Sequence, residues 1–330
     1  MVEINQNSYM DEIKNKGRIV EIDMAKGILI LLMVAFHLGL FNTKYPHACQ
    51  IVYAFHMSGF LVISGYLCSV EKTMPQFLIS LKRILVPYIV FEFFYLLGLS
   101  FVGKYVGASN VFEGDALSIL LQVATKPTGT YWYLYTLVFC LLTFYILNYF
   151  GVKGKANICL SSILLYLMSL GIEGLLWYNV LYFVIGISCR ILSFQITDKL
   201  KSVVMGIGFV AILIFADDVS RYSLVGVGLT LTFLGFQFAI MEKTPVLVKS
   251  FFSYIGRNSL SIVLFSPVFM IITKGYFPLF VFDSTVILWM IFSLVLVCSL
   301  CLVSAALFDK LKISDVLIGK NMYSPFLRIN

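Results

Sequence analysis

Charge is scarce in this 330-residue sequence, because only 12% of its residues are Asp, Glu, Lys or Arg. Soluble domains carry about twice that share. Hydrophobic residues make up 60% of the chain, which excludes a water-soluble globular domain as its main architecture. Histidine is rarer still, with three in total, so each histidine that falls inside an apolar segment is informative.

Apolar runs of about 20 residues recur along the whole chain, and each is about long enough to cross the ~30 Å hydrocarbon core of a bilayer. The sequence predicts an all-α, polytopic membrane protein with ten transmembrane helices. These are expected at 24–42, 48–68, 84–103, 131–150, 156–172, 175–194, 202–217, 222–241, 255–273 and 284–308. Residues 24–308 would form one membrane domain between an N-terminal segment, 1–23, and a C-terminal tail, 309–330, both too short to bury a core.

The basic residues fall mostly on one side of this topology. If the N-terminus is cytoplasmic, all but five of the 24 Lys and Arg residues lie on the inner side. The outer five are Lys44, Lys104, Lys126, Arg221 and Lys274. This asymmetry predicts that both termini are cytoplasmic. It also accounts for the net charge of +7 without a nucleic-acid partner.

Cysteine and loop patterns add little chemistry. The seven cysteines mostly lie in apolar runs, and Cys298 and Cys301, which have CxxC spacing, fall in a predicted span. We therefore expect packing residues and no metal site. The longest connection, 104–130, is a candidate lid over an outward-facing cavity.

The first predicted helix carries three ionisable residues, Asp23, Lys26 and His37. A charged side chain in lipid costs roughly 2.5–3.5 kcal/mol on insertion scales, so such residues persist mainly where they line a polar cavity or take part in chemistry. At about 100° per residue, Lys26 and His37 are offset by only about 20°, and Asp23 lies about 60° from Lys26. The helix would present an acid and a lysine at its inner end and an imidazole about 16 Å away.

A second histidine, His56, falls in the next predicted helix. Its expected depth differs from that of His37 by about 6 Å, so the two can form a pair. An imidazole titrates near neutrality and can take a proton from a hydroxyl nucleophile. The alternative for each ring is a structural histidine that bonds a neighbouring backbone carbonyl.

Four cations gather at the predicted inner side, near Asp23. Each could be a simple positive-inside anchor. As a set they could bind an anionic cofactor with several phosphates, such as coenzyme A, because Arg binds phosphate oxygens bidentately and Lys binds them as a point charge. They are Lys26, Lys82, Arg83 and Arg257.

Two further residues are candidates for substrate binding. Trp132 begins the fourth predicted helix, where an aromatic residue either anchors the chain at the membrane interface or offers a stacking platform for a sugar. Glu92 falls near mid-membrane in the third helix. An intramembrane carboxylate is a functional candidate, although it could also be protonated or paired with a histidine.

Five motifs follow one another along the chain. They are Asp23-Met-Ala-Lys26-Gly27 through His37; Phe55-His56-Met57 with Ile63-Ser64-Gly65-Tyr66; Lys82-Arg83-Ile-Leu-Val-Pro87-Tyr88; Trp132-Tyr133-Leu134; and Ile255-Gly256-Arg257-Asn258-Ser259-Leu260. In this order, on a ten-helix chain, they resemble the acyltransferase-3 family of integral-membrane O-acyltransferases, especially its fucose 4-O-acetylase-like branch. The chain departs from many members at Ser266-Pro267, where a late-helix histidine is usual.

The resemblance implies an acyl-CoA donor, with acetyl-CoA expected, bound from the cytoplasm. It implies transfer of the acyl group to a hydroxyl on a cell-surface or lipid-linked sugar, in a bacterial cytoplasmic membrane. Acetyl and succinyl both stay open, as do the acceptor sugar, the membrane face that receives the product and the oligomeric state.

A compatible mechanism follows from the same residues. His37 would act as general base toward the hydroxyl or briefly carry the acyl group, and His56 would orient His37 or polarise the thioester carbonyl. Asp23 would position Lys26. The CoA phosphates would be held by Lys26, Lys82, Arg83 and Arg257.

Two other classes of protein use similar features. A transporter or exporter of a sugar or sugar-lipid could use the histidines and Glu92 as a proton relay. A membrane scaffold for polysaccharide assembly is a third possibility, but a scaffold does not need an ionisable stripe in lipid.

Overall fold

The computed structural model describes residues 19–102, 116–216 and 218–326, and helices dominate all three ranges. No β-strand occurs in these ranges, so the all-α prediction is confirmed. The helices are α1 Val20–His37, α2 Gly39–Lys44, α3 Pro46–Leu67, α4 Met74–Val102, α5 Ala116–Thr125, α6 Trp132–Tyr149, α7 Gly154–Gly171, α8 Trp177–Ile191, α9 Ile196–Lys199, α10 Val203–Phe215, α11 Leu224–Met241, α12 Val246–Arg257, α13 Ser259–Ile272, α14 Ile287–Lys310 and α15 Ile313–Ile318.

Seven helical stretches of the described ranges are long and apolar enough to cross a membrane. They are α3, α4, α6 with the 3₁₀ turn before it, α7, α11, α13 with the 3₁₀ segment Thr273–Phe280 after it, and α14. Two more, α8 and α10, are apolar but shorter. Helix α1 has 18 residues and carries three charged side chains near its start. Each predicted span overlaps one of these ten helices, whereas ten membrane crossings and cytoplasmic termini stay predictions. Residues 104–115 of the proposed lid, 104–130, lie outside the described residues.

Two boundaries differ from the sequence prediction. Helix α1 ends at His37 rather than continuing to residue 42, because Leu38 adopts extended backbone angles of φ −68° and ψ 108°. The expected helix 255–273 is broken at Asn258, whose side-chain amide donates to the carbonyl of Tyr254 at 2.9 Å. Side chains that bond nearby backbone groups in this way compete with helix continuation.

The core depends on two helix crossings at which glycine brings backbones into contact. Where α1 crosses α12, a Cβ on Gly27 would lie 1.9 Å from the carbonyl oxygen of Phe252, and a Cβ on Gly256 would lie 1.7 Å from that of Asp23. Where α3 crosses α8, a Cβ on Gly186 would lie 1.9 Å from the carbonyl oxygen of Val62. Only glycine permits so close an approach, which is typical of helix pairs in membranes.

The side of the bundle that holds the start of α1 is called the inner side, and the opposite side the outer side. On the inner side, the segment 319–326 runs back over the helix ends. The Asp309 carboxylate accepts hydrogen bonds from the backbone N–H groups of Met322 (2.8 Å) and Tyr323 (2.9 Å). Asn258 both donates to the carbonyl of Ser324 (2.9 Å) and accepts from its N–H (2.8 Å). The tail is thus fastened to the helix bundle.

Candidate functional site

A cavity of about 640 Å³ lies at the outer side, between the end of α1, the first half of α3, the start of α6 and the segment before α11. This volume is within the range of small-molecule sites. His37, His56 and Trp132 all line it, so three residues from distant parts of the sequence share one space. We call it the outer cavity.

His37 and His56 form a pair in the outer cavity. Their ring centroids are 5.7 Å apart. The ring of Tyr53 flanks both, with centroids 4.9 Å from His37 and 5.5 Å from His56. The Tyr53 hydroxyl donates to the carbonyl of Phe36 at 2.7 Å and accepts from the side-chain amide of Asn42 at 3.0 Å. These two bonds hold Tyr53 against both imidazoles.

Backbone carbonyls determine which nitrogen of each ring carries the hydrogen. Nδ1 of His37 lies 2.8 Å from the carbonyl oxygen of Met33, and Nδ1 of His56 lies 2.6 Å from that of Val52. A carbonyl oxygen can only accept, so Nδ1 is the donor in both rings and Nε2 of each neutral ring keeps its lone pair. Nε2 of His56 is buried and has no hydrogen-bond partner among the described residues. Each ring is therefore compatible with both roles expected from the sequence. Its Nδ1 bonds a backbone carbonyl, as in a structural histidine, and its Nε2 still offers a basic nitrogen.

Trp132 shares the outer cavity with a cation. The Arg221 guanidinium carbon lies 5.0 Å from the centroid of the Trp132 ring. It also lies 5.3 Å from the ring of Tyr178 and 5.5 Å from that of Tyr222. Sequence reasoning counted Arg221 only as an outer-side charge and did not single out Tyr53. The three-residue spacing of Tyr53 and His56, which places both on one helix face, was a signal for the latter.

Glu92 is fully buried but does not line the outer cavity. Its Oε1 accepts a hydrogen bond from the backbone N–H of Thr128 at 2.5 Å. Thr128 directly precedes the short 3₁₀ turn Gly129–Tyr131, which leads into α6 at Trp132. The carboxylate therefore contacts the loop that leads to Trp132 and does not itself line the cavity.

A second, smaller cavity of about 310 Å³ lies toward the inner side and is lined mainly by apolar side chains. We call it the inner cavity. Lys26 lines it and forms an ion pair with Asp23, with Nζ 2.7 Å from Oδ1. In its wall, the hydroxyl oxygens of Ser64 and Tyr133 are 2.6 Å apart.

The two cavities follow one another along α3 and α6. In α3, Met57 lines the outer cavity and Phe60 lines the inner one. In α6, Trp132 lines the outer cavity and Tyr133 lines the inner one. Three residues of helix correspond to about 4.5 Å. A wall of one helical turn separates the cavities, with the Phe60 and Tyr133 rings in contact at 5.9 Å between centroids.

Sequence comparison assigns the chain to a known family. A family model described as an acyltransferase domain (Acyl_transf_3) matches residues 19–306. The chain belongs to this acyltransferase family. The resemblance carried by the five motifs is thus confirmed.

One similar curated protein is Nodulation protein NolL of Sinorhizobium fredii (strain NBRC 101917 / NGR234). It is 29% identical over 181 residues, which are 52% of this chain and 48% of the relative. The chain thus spans about half the length of this relative. No solved structure matches this chain.

In this member of the acyltransferase family, three predicted cofactor-binding cations lie outside the inner cavity. Lys82 is exposed. Nε of Arg83 donates to the carbonyl of Ile318 at 3.1 Å, and Nη2 of Arg257 donates to that of Pro325 at 3.3 Å. Both arginines therefore contact the C-terminal part of the chain, and their role toward a cofactor stays a prediction.

A different basic group adjoins the inner cavity. A third cavity of about 630 Å³ shares Cys68 and Lys72 with it and is also lined by Lys153 and Arg190. We call it the basic cavity. Sequence reasoning placed these cations on the inner side without linking them, because they belong to α8 and to two separate loops that only the fold brings together.

Proposed function

We propose that this chain is a membrane O-acyltransferase that moves an acyl group, with acetyl as the first candidate, from acyl-CoA to a hydroxyl of a cell-surface or lipid-linked sugar. The observation that carries the proposal is the His37–His56 pair in the outer cavity, with a basic nitrogen in each ring. The membership of the chain in an acyltransferase family supports it. The expected location is a bacterial cytoplasmic membrane, with the outer cavity facing away from the cytoplasm.

The donor would occupy the inner and basic cavities together. Lys72 lines both, so one molecule can place its phosphates among Lys72, Lys153 and Arg190 and an uncharged arm along the apolar inner cavity. Arg and Lys are the side chains that bind phosphate oxygens best. Lys26, held by Asp23, adds a cation to the wall of that path.

Transfer would take place at the histidine pair. Nε2 of His37 accepts the hydroxyl proton of the acceptor, whose oxygen then attacks the thioester carbonyl carbon. The carbon–sulfur bond breaks, and the leaving thiolate takes the proton back from His37. His56 would orient His37 or polarise the thioester carbonyl. Asp23 lies about 21 Å along α1 from His37, which limits it to positioning Lys26.

The acceptor sugar would bind from the outer side. Trp132 lines the cavity and offers an apolar face to a sugar ring. Glu92 would contribute by holding the Thr128 loop, and so the entry to α6. The acceptor hydroxyl would then meet the thioester beside His37, which requires the end of the donor's arm to pass the wall formed by Phe60 and Tyr133.

The O-acetyl content of surface polysaccharide, measured by NMR, tests this function. Cells that produce the protein should show O-acetyl signals that are absent from cells producing a His37→Gln variant at equal membrane level. Purified protein should also transfer label from acetyl-CoA to deacetylated polysaccharide. Equal O-acetyl content in both strains would contradict the proposal, and loss of surface sugar without a change in acetylation would indicate an exporter.

A further inference from the structure

The outer cavity contains a cation to which the proposed transfer reaction assigns no role. Arg221 lines the same cavity as the histidine pair, on the segment between α10 and α11. The donor phosphates, by contrast, are expected at the inner side. A charged group in the cavity of the acceptor therefore needs its own explanation.

Three aromatic rings surround the Arg221 guanidinium, with centroids 5.0–5.5 Å from its central carbon. These distances are within the range of cation–π contact. The Tyr178 side chain also forms a hydrogen bond with Arg221. Stacking uses the face of a guanidinium and leaves the other N–H donors in its plane available for a carboxylate or phosphate. The rings of Trp132, Tyr178 and Tyr222 thus orient the cation without neutralising it.

No carboxylate among the described residues forms an ion pair with Arg221. Asp218 lines the same cavity but lies beyond ion-pairing distance. The side chain is only partly exposed, so water does not fully solvate its charge. An anionic ligand would supply the missing partner.

The backbone of Arg221 is fixed from two sides. The Tyr182 hydroxyl of α8 donates to its carbonyl at 2.9 Å. From α11, Gly226 packs so closely that a Cβ there would lie 2.8 Å from the Arg221 Cα. A cation held in advance binds its ligand at a lower entropic cost.

We infer that Arg221 binds a negatively charged group of the acceptor, so that the acceptor is a sugar bearing a carboxylate or a phosphate close to the acylated hydroxyl. This inference rests on the proposed function, because it assigns the outer cavity to the acceptor. The two anionic groups share one recognition chemistry, and the choice of probe separates them.

Tryptophan fluorescence provides a binding test that is independent of turnover. The chain has three tryptophans, and a Trp177→Phe background leaves Trp132 and Trp289. Trp289 is fully buried and its Nε1 donates to the carbonyl of Thr273 at 3.1 Å, so it gives a constant signal. Purified protein would be titrated with glucuronate, glucose 1-phosphate and glucose.

We expect at least one charged probe to saturate the Trp132 signal at a concentration tenfold or more below that of glucose. Arg221→Gln should remove this preference without changing the response to glucose, whereas Arg221→Lys should keep part of it. Lys44→Gln, which changes an exposed outer-side cation outside the cavity, should behave like the parent. A response to glucuronate alone would assign a carboxylate, and a response to glucose 1-phosphate alone a phosphate.

Equal affinity for charged and neutral probes would overturn the inference, as would an unchanged preference in Arg221→Gln. A lower kcat in Arg221→Gln with unchanged probe affinity would also overturn it, because Arg221 would then act on the reacting carbonyl. In each of these cases O-acetylation that depends on His37 would leave the proposed function standing. Conversely, normal acetylation in His37→Gln would contradict the proposed mechanism. Binding of the charged probes that depends on Arg221 would still support the anion site in that case.

Discussion

The outer and inner cavities differ in chemistry although only one helical turn separates them. The outer cavity combines the histidine pair with Trp132 and Arg221. The inner cavity is mainly apolar, and its lysine at position 26 is already paired with Asp23. A polar space with basic nitrogens suits a sugar hydroxyl and its activation, whereas a narrow apolar space suits a long uncharged arm. Under the proposed function, this difference would keep most of the donor apart from the site of proton transfer.

The two sides of the bundle also differ in how they are fastened. On the inner side, Gly27 and Gly256 let α1 and α12 touch, and Asp309 ties down the C-terminal segment. On the outer side, α1 ends at His37 and the cavity wall includes the segment that carries Arg221. On the inner side, these contacts join helix to helix and the C-terminal segment to the bundle, whereas on the outer side the helix ends leave a cavity between them.

The largest effect that would separate the two cavities is expected from His37→Gln. Loss of the general base should lower the transfer rate by about 10²–10⁴-fold without weakening donor binding, because acetyl-CoA would occupy the inner and basic cavities. Transfer of labelled acetyl groups and calorimetric titration with acetyl-CoA measure the two quantities. His47→Gln, at an exposed position of α3, is the matched control and should keep full activity. A parallel loss of rate and donor affinity would contradict the division of roles.

The next largest effect is expected at the inner helix crossing. Gly256→Ala places a Cβ 1.7 Å from the carbonyl oxygen of Asp23, and overpacking of this kind typically costs about 1–3 kcal/mol, occasionally more. The thermal unfolding midpoint in detergent should fall. Gly98→Ala in α4, where a Cβ would meet no atom within 4 Å, should leave the midpoint unchanged or raise it. Equal midpoints for both variants would show that the crossing does not limit stability.

Much of the fold could be predicted from the sequence, because apolar length and charge asymmetry are local properties. The pairing of His37 and His56 was also predictable, since helical rise and rotation fix the depth and face of each ring. Arg221 was not, because its partners come from α6 and α8 and its place depends on a loop. The contacts of Arg83 and Arg257 with the C-terminal part of the chain were hidden for a similar reason, since no periodicity encodes where a short terminal helix and the segment after it lie.

An intermediate effect on the donor side is expected from Lys26→Gln. Removing one cation from the wall of the inner cavity should raise the KM for acetyl-CoA about tenfold, equivalent to about 1.4 kcal/mol, with kcat nearly unchanged. Lys82→Gln tests the competing prediction, because Lys82 is exposed and does not line that cavity. Initial rates over a range of acetyl-CoA concentrations distinguish them. A larger increase in KM for Lys82→Gln than for Lys26→Gln would indicate that the donor binds near Lys82 and not in the inner cavity.

The smallest effect is expected from Tyr133→Phe. This change removes the hydrogen bond between Ser64 and Tyr133 in the inner cavity and keeps the ring, at a cost of about 0.5–1.5 kcal/mol. The KM for acetyl-CoA should change a few-fold. The affinity of the outer cavity for charged sugars, measured by Trp132 fluorescence, should not change. A shift in sugar binding of the same size would mean that the wall between the cavities transmits changes from one to the other.

Because Nδ1 of each histidine is hydrogen-bonded to a carbonyl of its own helix, only Nε2 of each ring can exchange a proton with a substrate. With Nδ1–H of His37 engaged by the carbonyl of Met33, a proton that enters at Nε2 has no exit through the far side of the ring. It must leave by the nitrogen at which it arrived, so each turnover returns the imidazole to its starting form. The proposed reaction would then take up and release its proton within the outer cavity, without a chain of proton carriers to the water on either side of the membrane.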